Sequence, residues 1–441
     1  MQEARQLATR IVQDLRAAGH SAYWVGGCVR DLLLGREVKD YDVATSAHPD
    51  EILRLFPKAE FIGAAFGVVL VKDSGFAVEV ATYRSERAYR DGRRPDEVQY
   101  ESDPRLDASR RDFTINALFH DPLSGDTLDF FGGRADLANR MLRAVGDPAE
   151  RFAEDHLRLL RAIRFAARLD FSIEHQTWEA MRAQAASIER ISAERIREEL
   201  NRILSEGGAS RGLRLMDGCG LLEILLPEVK AMQGVEQPPE FHPEGDVWTH
   251  TLLMLDLLEP PVEPVLAWGV LLHDIGKPAT QTRTDRIRFN GHVEAGLRIA
   301  GPMLSRLKFS IDDREQVLAL VENHMRFMEL QRMRVSTVKR FLRLPRFDQH
   351  LALHRVDCLS SHGGLDNYDF ARRKIEEFGA EQIAPAPLVR GGDVLALGIA
   401  PGPRIRELLH AVEEAQLEGS LQNREEALDY LKRLAEASST I

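Results

Sequence analysis

Residues 25–42 open with Val25-Gly26-Gly27-Cys28-Val29-Arg30-Asp31 and close with Asp40-Tyr41-Asp42. The segment predicts a strand, a glycine turn and a short helix. Two glycines at such a turn let the backbone approach phosphate oxygens closely, and a helix N-terminus favours anions. Arg30, on the first turn of the helix, could clamp a phosphate with two hydrogen bonds. The segment therefore predicts a phosphate-binding site.

Three carboxylates extend this candidate site. Asp40 and Asp42 stand two positions apart on a predicted strand, so both side chains are expected on the same side of the sheet. Glu79, on another predicted strand, could add a third carboxylate. Such a set can hold hard cations that bridge a hydroxyl and a triphosphate. Either motif alone is more typical of a plain turn or of surface aspartates, but their combination favours the cation site.

The composition divides the chain into a β-rich first part and a helical remainder. Short apolar or alternating runs between Gly, Pro and Asp predict a small head with a mixed central sheet over residues 1–146. After Asp147–Pro148 most runs have the helical period, beginning with a predicted helix over residues 150–169. We expect an α+β protein whose head is followed by an all-α neck and body over 147–235, an all-α domain over 236–365, and a helical, acidic tail over 366–441.

Several ordered motifs between residues 21 and 228 resemble the class II tRNA nucleotidyltransferases and the bacterial poly(A) polymerases. Residues 26–42 are similar to the catalytic motif of this family. The other matching motifs are Arg110-Arg111-Asp112-Phe113-Thr114-Ile115-Asn116-Ala117-Leu118 for ribose and triphosphate contacts, Asp129-Phe130-Phe131-Gly132-Gly133 with Asp136-Leu137 for coupling head to neck, and Glu154-Asp155-His156-Leu157-Arg158 with Arg161 and Arg164 for base selection. One departure is His156, where members often carry proline.

The resemblance implies template-independent transfer of nucleotides to an RNA 3′ end. Mg²⁺ at Asp40 and Asp42, with Glu79 as a further catalytic carboxylate, would activate the 3′-hydroxyl of tRNA and steady the α-phosphate as pyrophosphate leaves. The implied partners are the tRNA 3′ end, CTP and ATP. The implied nucleotide-binding residues are Gly26, Gly27, Arg30, Arg111, Asp112, Asn116, Asp155, Arg158, Arg161 and Arg164.

Three products remain open within this family: a full C-C-A end, a partial end of CC or A alone, and poly(A). Residues 84–107 contain Tyr89-Arg90-Asp91-Gly92-Arg93-Arg94-Pro95-Asp96 and resemble a flexible loop that CC-only members lack. Residues 62–66 lack the paired basic residues that often mark poly(A) polymerases. Together these features favour CCA addition.

Base selection can also be argued from the residues themselves. Asp155 and Arg158 are three positions apart, which predicts neighbours on one helix face, with Arg161 and Arg164 continuing the stripe. The carboxylate of Asp155 would accept from the exocyclic amine of cytosine or adenine, and the guanidinium of Arg158 would donate to the neighbouring ring nitrogen. Uracil and guanine have the opposite polarity at these positions. A solvated arginine face with one salt bridge is the alternative.

A second constellation of metal-binding residue types follows in the third block. It comprises His250, His273-Asp274-Ile275-Gly276-Lys277 and Asp357, a mixture of nitrogen and carboxylate ligands that suits a divalent metal. It resembles the HD phosphohydrolase domain, which implies His250, His273, Asp274 and Asp357 as ligands of Mg²⁺, Mn²⁺ or Ni²⁺. The resemblance also places Lys277 near a substrate phosphate, with His292 and His324 as outer ligands or phosphate contacts. Hydrolysis of 2′,3′-cyclic phosphates or phosphomonoesters, a purely structural metal and an empty site remain open.

Composition sets the remaining expectations. The chain has 58 Lys+Arg against 69 Asp+Glu, a net charge of −11, which argues against a general nucleic-acid coat. Residues 325–346 nevertheless carry seven basic side chains against Glu329, and they predict either a tRNA contact or a solvated helix. No run is long and apolar enough for a membrane span, and residues 1–20 do not resemble a signal peptide, so we expect a cytoplasmic protein.

The sequence also leaves two competing functions and does not fix an oligomeric state. One is an HD hydrolase whose head only binds RNA, and the other is a non-catalytic tRNA-binding protein. The carboxylates and arginines of the head motifs are all present, which argues against both.

Overall fold

A computed structural model of the chain describes residues 2–63, 67–73, 75–87 and 97–437. Their contacts group them into two compact units. The first unit holds the described residues up to 230 together with 306–309, and the second holds residues 231–305 together with those from 310 onward. The four-part division by composition remains a prediction.

The first unit contains a seven-stranded mixed sheet, which confirms the predicted α+β head. The described strands of the unit are β1 (Ala22–Val25), β2 (Asp42–Thr45), β3 (Glu60–Gly63), β4 (Val68–Asp73), β5 (Phe76–Thr82), β6 (Arg84–Arg87), β7 (Glu97–Tyr100), β8 (Leu118–His120), β9 (Thr127–Asp129), β10 (Met141–Leu142) and β11 (Ser172–Ile173). The sheet order is β3-β4-β5-β2-β1-β8-β9, in which β2 and β5 run parallel and the other neighbours antiparallel. Because β2 lies between β1 and β5, its first residue is central in the sheet.

Helices cover this sheet and make up most of the rest of the unit, in which β10 and β11 form a short parallel pair. The first unit has α1 (Gln2–Ala17), α2 (Gly27–Leu33), α3 (Pro49–Leu55), α4 (Pro104–Ser109), α5 (Gly133–Ala138), α6 (Pro148–Glu154), α7 (Arg158–Leu169), α8 (His175–Gln184), α9 (Ala193–Ser205), α10 (Ala209–Gly218), α11 (Leu221–Leu225) and α12 (Pro227–Lys230). α7 is buried along most of its length and packs against α9 and α10. Leu159, Ile163 and Phe165 are among the side chains that α7 buries.

The second unit is almost entirely helical, as predicted. Its helices are α13 (Val247–Asp256), α14 (Pro264–Leu272), α15 (Lys277–Thr280), α16 (His292–Arg306, ending in the first unit), α17 (Ile311–Asn323), α18 (Val335–Leu342), α19 (Phe347–Ser360), α20 (Asp366–Ile383), α21 (Gly391–Ala396), α22 (Pro403–Leu417) and α23 (Arg424–Ala437). A two-stranded hairpin, β12 (Thr282–Arg283) and β13 (Ile287–Arg288), interrupts them. Among the described residues, no helix has the length and apolarity that a bilayer crossing requires.

The basic segment 325–346 is bound by acidic residues of the same unit. Arg340 and Arg343 of α18 both pair with Glu413 of α22, and the Arg343 pair has an N–O distance of 2.7 Å. Lys339 donates to the carbonyl oxygen of Leu417, 2.9 Å away. Other pairs in this region are Arg334 with Glu414 and Arg346 with Asp312. Acidic residues of the same unit therefore hold part of this segment, whereas the side chains of Arg332 and Arg334 are 83% and 80% exposed, and the choice between a tRNA contact and a solvated helix stays a prediction.

Candidate functional site

The predicted carboxylates lie together where β2 begins beside β5. Asp42 is the first residue of β2, and its register partner in β5 is Glu79. Asp40 lies in the coil before β2, so the predicted alternation along one strand is wrong for this residue. Burial raises the pKa of Asp42 to about 6, with further contributions from the charges of Glu79 and Asp40. The three carboxylates are therefore close enough to interact.

The glycine turn lies directly beside these carboxylates. Gly26 has a φ of 72°, and a Cβ there would lie 3.2 Å from Nη1 of Arg111 and 3.9 Å from Oδ2 of Asp42. Arg30 is only 4% exposed. Its guanidinium binds the carboxylate of Asp31 at 2.8–2.9 Å and donates to Oδ1 of Asn116 at 2.9 Å. Arg30 thus ties the helix after the glycine turn to the motif at residues 110–118.

Asp112 connects that motif to the neck helix α7. Its Oδ2 accepts from Nε and Nη2 of Arg161, at 3.0 and 2.6 Å. Its Oδ1 accepts from the backbone N–H of Phe113 and from Nδ2 of Asn116. Burial alone would raise the pKa of Asp112, but the charge of Arg161 and the hydrogen bonds from Asn116 and Arg161 lower it to about 2. Asp112 is therefore a buried anion with all its acceptor positions occupied by donors.

The predicted helix over residues 150–169 is wrong at its centre. α6 ends at Glu154, Asp155 adopts extended backbone angles, and α7 begins at Arg158. The side chain of Asp155 accepts from the backbone N–H of Leu157 at 3.0 Å, a local bond that replaces the helical pattern. Asp155 and Arg158 are therefore not neighbours on one helix face.

Each of these two residues has its own partner. Asp155 pairs with Arg195 of α9, with a distance of 2.9 Å between Oδ2 and Nη2. Arg158 is 9% exposed; it pairs with Glu154 and donates to the backbone carbonyl oxygens of Arg151 and Arg110. Both side chains nevertheless line one cleft.

This cleft has a volume of about 670 Å³ and brings most of the predicted site residues together. Its described wall contains ten arginines and four carboxylates, an excess of positive charge in an acidic protein. The predicted members are Gly26, Gly27, Arg30, Asp42, Arg111, Asp112, Asn116, Asp155, Arg158, Arg161 and Arg164. Asp40 and Glu79 lie beside Asp42 and outside this lining.

The sequence analysis did not identify one side of the cleft. Arg195, Arg202 and Glu206 line this side. Glu199 forms ion pairs with Arg164 and Arg161, which line the cleft. Arg195, Glu199, Arg202 and Glu206 have the spacing of four, three and four residues that is typical of one helix face, the face of α9. The sequence therefore indicates that these four residues share one helix face. It does not indicate that this face packs towards α7.

The second unit gathers the predicted metal ligands into two sets. The first ligand set is His250, His273 and Asp357, and the second ligand set is Asp274, His292 and His324. Within the first set, Nε2 of His250 is 3.2 Å from Oδ1 of Asp357. Nε2 of His273 is 3.0 Å from Oδ2 of Asp274, and its Nδ1 is 2.8 Å from the carbonyl oxygen of Val270. Buried imidazole nitrogens that face carboxylates form a ligand set that suits a divalent cation.

Glu244 is a further member of this cluster that the sequence analysis missed. Its Oε1 lies 2.6 Å from Nδ1 of His250 and 2.9 Å from Nδ1 of His242. Burial alone would lower the pKa of His250, but its hydrogen bonds with Asp357 and Glu244 raise it to about 9. No motif spacing indicates Glu244, because it precedes α13 in a loop rich in proline and glycine.

Lys277 and an adjoining cavity complete the second site. Nζ of Lys277 is 2.6 Å from Oδ2 of Asp274 and 2.6 Å from Oε1 of Gln237. The cavity holds about 990 Å³, and Phe241 and Phe289 lie in its wall together with the metal-ligand candidates. The site thus has both a cationic side chain and room for an organic phosphate.

Three family models match the chain in the expected order. Residues 22–143 match a poly A polymerase head domain, residues 170–233 a probable RNA and SrmB-binding site of polymerase A, and residues 247–350 an HD domain. These matches cover both units and agree with the sequence resemblance.

Related proteins give the same assignment over the full length. A CCA-adding enzyme of Streptococcus suis is 34% identical over 432 residues, which is 96% of this chain and 95% of that protein. One from Geobacillus is 46% identical, but the match spans about half of each chain, 52% of this one and 56% of the other. The crystal structure of the Bacillus stearothermophilus CCA-adding enzyme in complex with CTP covers both chains fully, with a TM-score of 0.75 and 26% identity. The chain belongs to the family of CCA-adding enzymes.

Proposed function

We propose that this chain completes the 3′ end of tRNA by adding C, C and A from CTP and ATP. The observation that carries the proposal is the cleft of the first unit, where ten arginines surround an approach to Asp42 and its neighbouring carboxylates. The arginines suit the triphosphate of the incoming nucleotide. The similar enzyme solved with CTP supports a cytidine nucleotide as one ligand.

Asp40, Asp42 and Glu79 are the residues that would hold Mg²⁺. Burial, together with the charges of Glu79 and Asp40, raises the pKa of Asp42 to about 6, and a hard cation would stabilise these three neighbouring carboxylates. With Mg²⁺ bound, these carboxylates would provide activation of the RNA 3′-hydroxyl and charge neutralisation at the α-phosphate, as in two-metal nucleotidyl transfer. The arginines bind and orient the triphosphate, and Arg30 acts as a positioning residue because its guanidinium is engaged by Asp31 and Asn116.

The test uses tRNA transcripts that end before, within and after CCA, with labelled CTP and ATP supplied separately. Incorporation of two C and one A, followed by arrest, is the expected result. Long A tracts would indicate a poly(A) polymerase, and incorporation of A only onto CC-ended tRNA would indicate an A-adding enzyme. Of the two segments that favour CCA addition in the sequence, 62–66 and 84–107, residues 64–66 and 88–96 lie outside the described residues. The transcript assay therefore decides between these products.

Base selection is proposed to depend on Asp155 and Arg158. Asp155→Ala should raise the incorporation of UTP and GTP relative to CTP and ATP by about tenfold or more, the effect of losing one charge-assisted hydrogen bond of about 1.5–3 kcal/mol. Competition assays with paired nucleotides measure this ratio. Arg195→Ala should give a smaller change in the same direction, because Arg195 holds the carboxylate of Asp155. The exposed Arg182 provides the matched control, Arg182→Ala. Unchanged nucleotide preference in Asp155→Ala would refute the polarity argument.

A second activity, phosphoester hydrolysis, is proposed for the HD domain. Nδ1 of His273 donates to the carbonyl oxygen of Val270, so its Nε2 presents a lone pair towards the carboxylate of Asp274, which favours a bound divalent metal over a purely hydrogen-bonded core. Lys277 and the 990 Å³ cavity favour an organic phosphate as substrate. A 2′,3′-cyclic phosphate or a phosphomonoester at an RNA end fits this chemistry.

Asp274→Ala should abolish metal-dependent hydrolysis of a 2′,3′-cyclic nucleotide, because Asp274 belongs to the second ligand set and its Oδ2 lies 3.0 Å from Nε2 of His273 in the first. Release of the nucleotide monophosphate, followed by chromatography, measures the rate. Asp429→Ala, at an exposed carboxylate of α23 that pairs with Lys432, is the control and should retain full activity. If Asp274→Ala retains hydrolysis, the activity arises elsewhere or from a contaminant. CCA addition should persist in this variant.

A further inference from the structure

Asp107 is a buried carboxylate that binds two arginines of the cleft wall in the first unit. Its side chain is 1% exposed and lies outside the described lining of the cleft. Its Oδ2 accepts from Nε and Nη2 of Arg111, at 3.2 and 2.9 Å, and its Oδ1 accepts from Nε and Nη2 of Arg110, at 2.9 and 2.6 Å. Burial alone would raise the pKa of Asp107, but the charges of the two arginines hold it below its usual value. One buried anion thus holds two consecutive arginines.

The guanidinium of Arg111 lies beside the carboxylate of Asp42. Its Nη1 donates to the backbone carbonyl oxygen of Asn116 at 3.3 Å. The same Nη1 and Oδ2 of Asp42 both lie within 4 Å of the point that a Cβ at Gly26 would occupy. Burial raises the pKa of Asp42, and the positive charge of Arg111 opposes this rise. The two side chains are therefore close enough to attract each other.

Asp42 nevertheless forms no ion pair with any residue that the structure describes. The other carboxylates of the described cleft wall are each paired: Asp112 with Arg161, Asp155 with Arg195 and Glu206 with Arg168, at N–O distances of 2.6, 2.9 and 3.1 Å. A guanidinium bound to Asp42 would occupy an oxygen that a hard cation needs. Asp107 accounts for the difference, because it binds Nε and Nη2 of the neighbouring Arg111.

We propose that Asp107 is a positioning residue that holds Arg111 away from Asp42, so that the carboxylate stays available to Mg²⁺ and the remaining N–H groups of Arg111 stay available to the triphosphate. The inference rests on nucleotide transfer in the first unit, the function proposed above. Hydrogen bonds between a carboxylate and a guanidinium are roughly twice as strong as neutral ones, so the two from Arg111 keep its side chain in place. Asp107 acts only through the arginines, since it is buried and lies outside the described cleft lining.

Asp107→Asn should raise the Mg²⁺ concentration for half-maximal CTP incorporation by about tenfold, the effect of one charge-assisted hydrogen bond to a competing guanidinium. The released Arg111 would compete with Mg²⁺ for Asp42. Initial rates on a transcript lacking CCA, at saturating CTP, measure the requirement. The double variant Asp107→Asn/Arg111→Gln should need no more Mg²⁺ than the wild type, although its KM for CTP should stay raised. A merely structural role of Asp107 does not predict this recovery, because the second substitution removes the rest of the pair.

A crystal structure of metal-free Asp107→Asn provides a measurement that does not depend on activity. It should show the guanidinium of Arg111 within hydrogen-bond distance of the Asp42 carboxylate. The control is Asp103→Ala, which removes the N-cap of α4, the helix that carries Asp107; the side chain of Asp103 is exposed and accepts from the backbone N–H of Arg105. This variant loosens the same helix without touching the arginine pair, so its Mg²⁺ requirement should equal that of the wild type.

Two results would overturn the positioning role: an unchanged Mg²⁺ requirement in folded Asp107→Asn, or a raised requirement that persists in the double variant. If Asp107→Asn does not fold, Arg111→Gln alone still tests the inference. Removal of a competitor cannot raise the Mg²⁺ requirement at saturating CTP, so a rise in this variant would also overturn it. A wild-type chain that incorporates no nucleotide would contradict the proposed function instead, and the crystal structure of Asp107→Asn would still decide whether Arg111 moves to Asp42.

Discussion

Asp42→Asn should reduce the incorporation of CTP and ATP into tRNA on the order of a thousandfold, equivalent to about 4 kcal/mol of transition-state stabilisation. Asp42 is the carboxylate that lies centrally, at the start of β2 and in register with Glu79. An amide keeps the shape of the side chain but has no charge to hold Mg²⁺. Initial rates on a transcript lacking CCA measure the effect.

The matched control for this substitution is Asp126→Asn, at an exposed carboxylate of the same unit outside the cleft. It should retain the wild-type rate. The Asp42→Asn protein should fold at least as stably as the wild type at pH 7.5, because the substitution removes a partly buried charge repelled by Glu79. Full activity in folded Asp42→Asn would refute the metal site at the strand edge.

The raised pKa of Asp42 also predicts the pH dependence of this activity. Burial and the charge of Glu79 raise that pKa to about 6, so the carboxyl is protonated below pH 6 and must lose its proton to bind Mg²⁺. The Mg²⁺ concentration for half-maximal rate should be constant above pH 7 and rise about tenfold for each pH unit below 6, as expected for one competing proton. An Mg²⁺ requirement that is flat down to pH 5 would contradict this assignment.

Asp112→Asn should destabilise the first unit by about 2–3 kcal/mol, the loss of a buried charge-assisted pair with Arg161. Both oxygens of Asp112 accept hydrogen bonds, two from Arg161 and two from Phe113 and Asn116. The asparagine side chain has a single oxygen, so its NH₂ group would replace one carboxylate oxygen of Asp112 and would face N–H donors there. Urea unfolding, together with hydrogen exchange in peptides from residues 110–118 and 157–166, measures the loss.

The stability difference should itself depend on pH. Because the pKa of Asp112 is lowered to about 2, its contribution is fully present above pH 4 and is lost as the pH falls from 4 towards 2. The wild type and Asp112→Asn should therefore converge in stability at the acid end. Asp126→Asn should unfold with the wild type at every pH. Equal stability of Asp112→Asn and the wild type at pH 7 would show that Asp112 does not hold the head motif to α7.

Local patterns were sufficient to predict the head. The apolar runs before Gly26 and around Val43 and Val80 alternate with turn residues, and they became β1, β2 and β5. We expected a mixed sheet for the head, but the order of its seven strands depends on pairing between distant segments and has no local signal. Strand ends were less certain: Asp40 fell outside β2, because nothing in a short run indicates where pairing begins.

The base-selecting motif shows where periodicity is misleading. Residues 150–169 have helical spacing throughout, yet the side chain of Asp155 bonds to the backbone two residues ahead and separates α6 from α7. Local competition of this kind is typical of aspartate. The pairing of Asp155 with Arg195, forty residues later, follows from the packing of α7 against α9 and has no local signal.

The pairing of α18 with α22 has a consequence for how ionic strength should act on this protein. The salt dependence of RNA binding counts the phosphates that basic side chains neutralise, since each contact releases condensed counterions. Arg340 and Arg343 already have Glu413 as their counterion, so they would release few ions on meeting a phosphate. Raising the salt concentration should therefore weaken the proposed nucleotide and RNA contacts in the arginine cleft of the first unit. In the second unit it should weaken the ion pairs between α18 and α22.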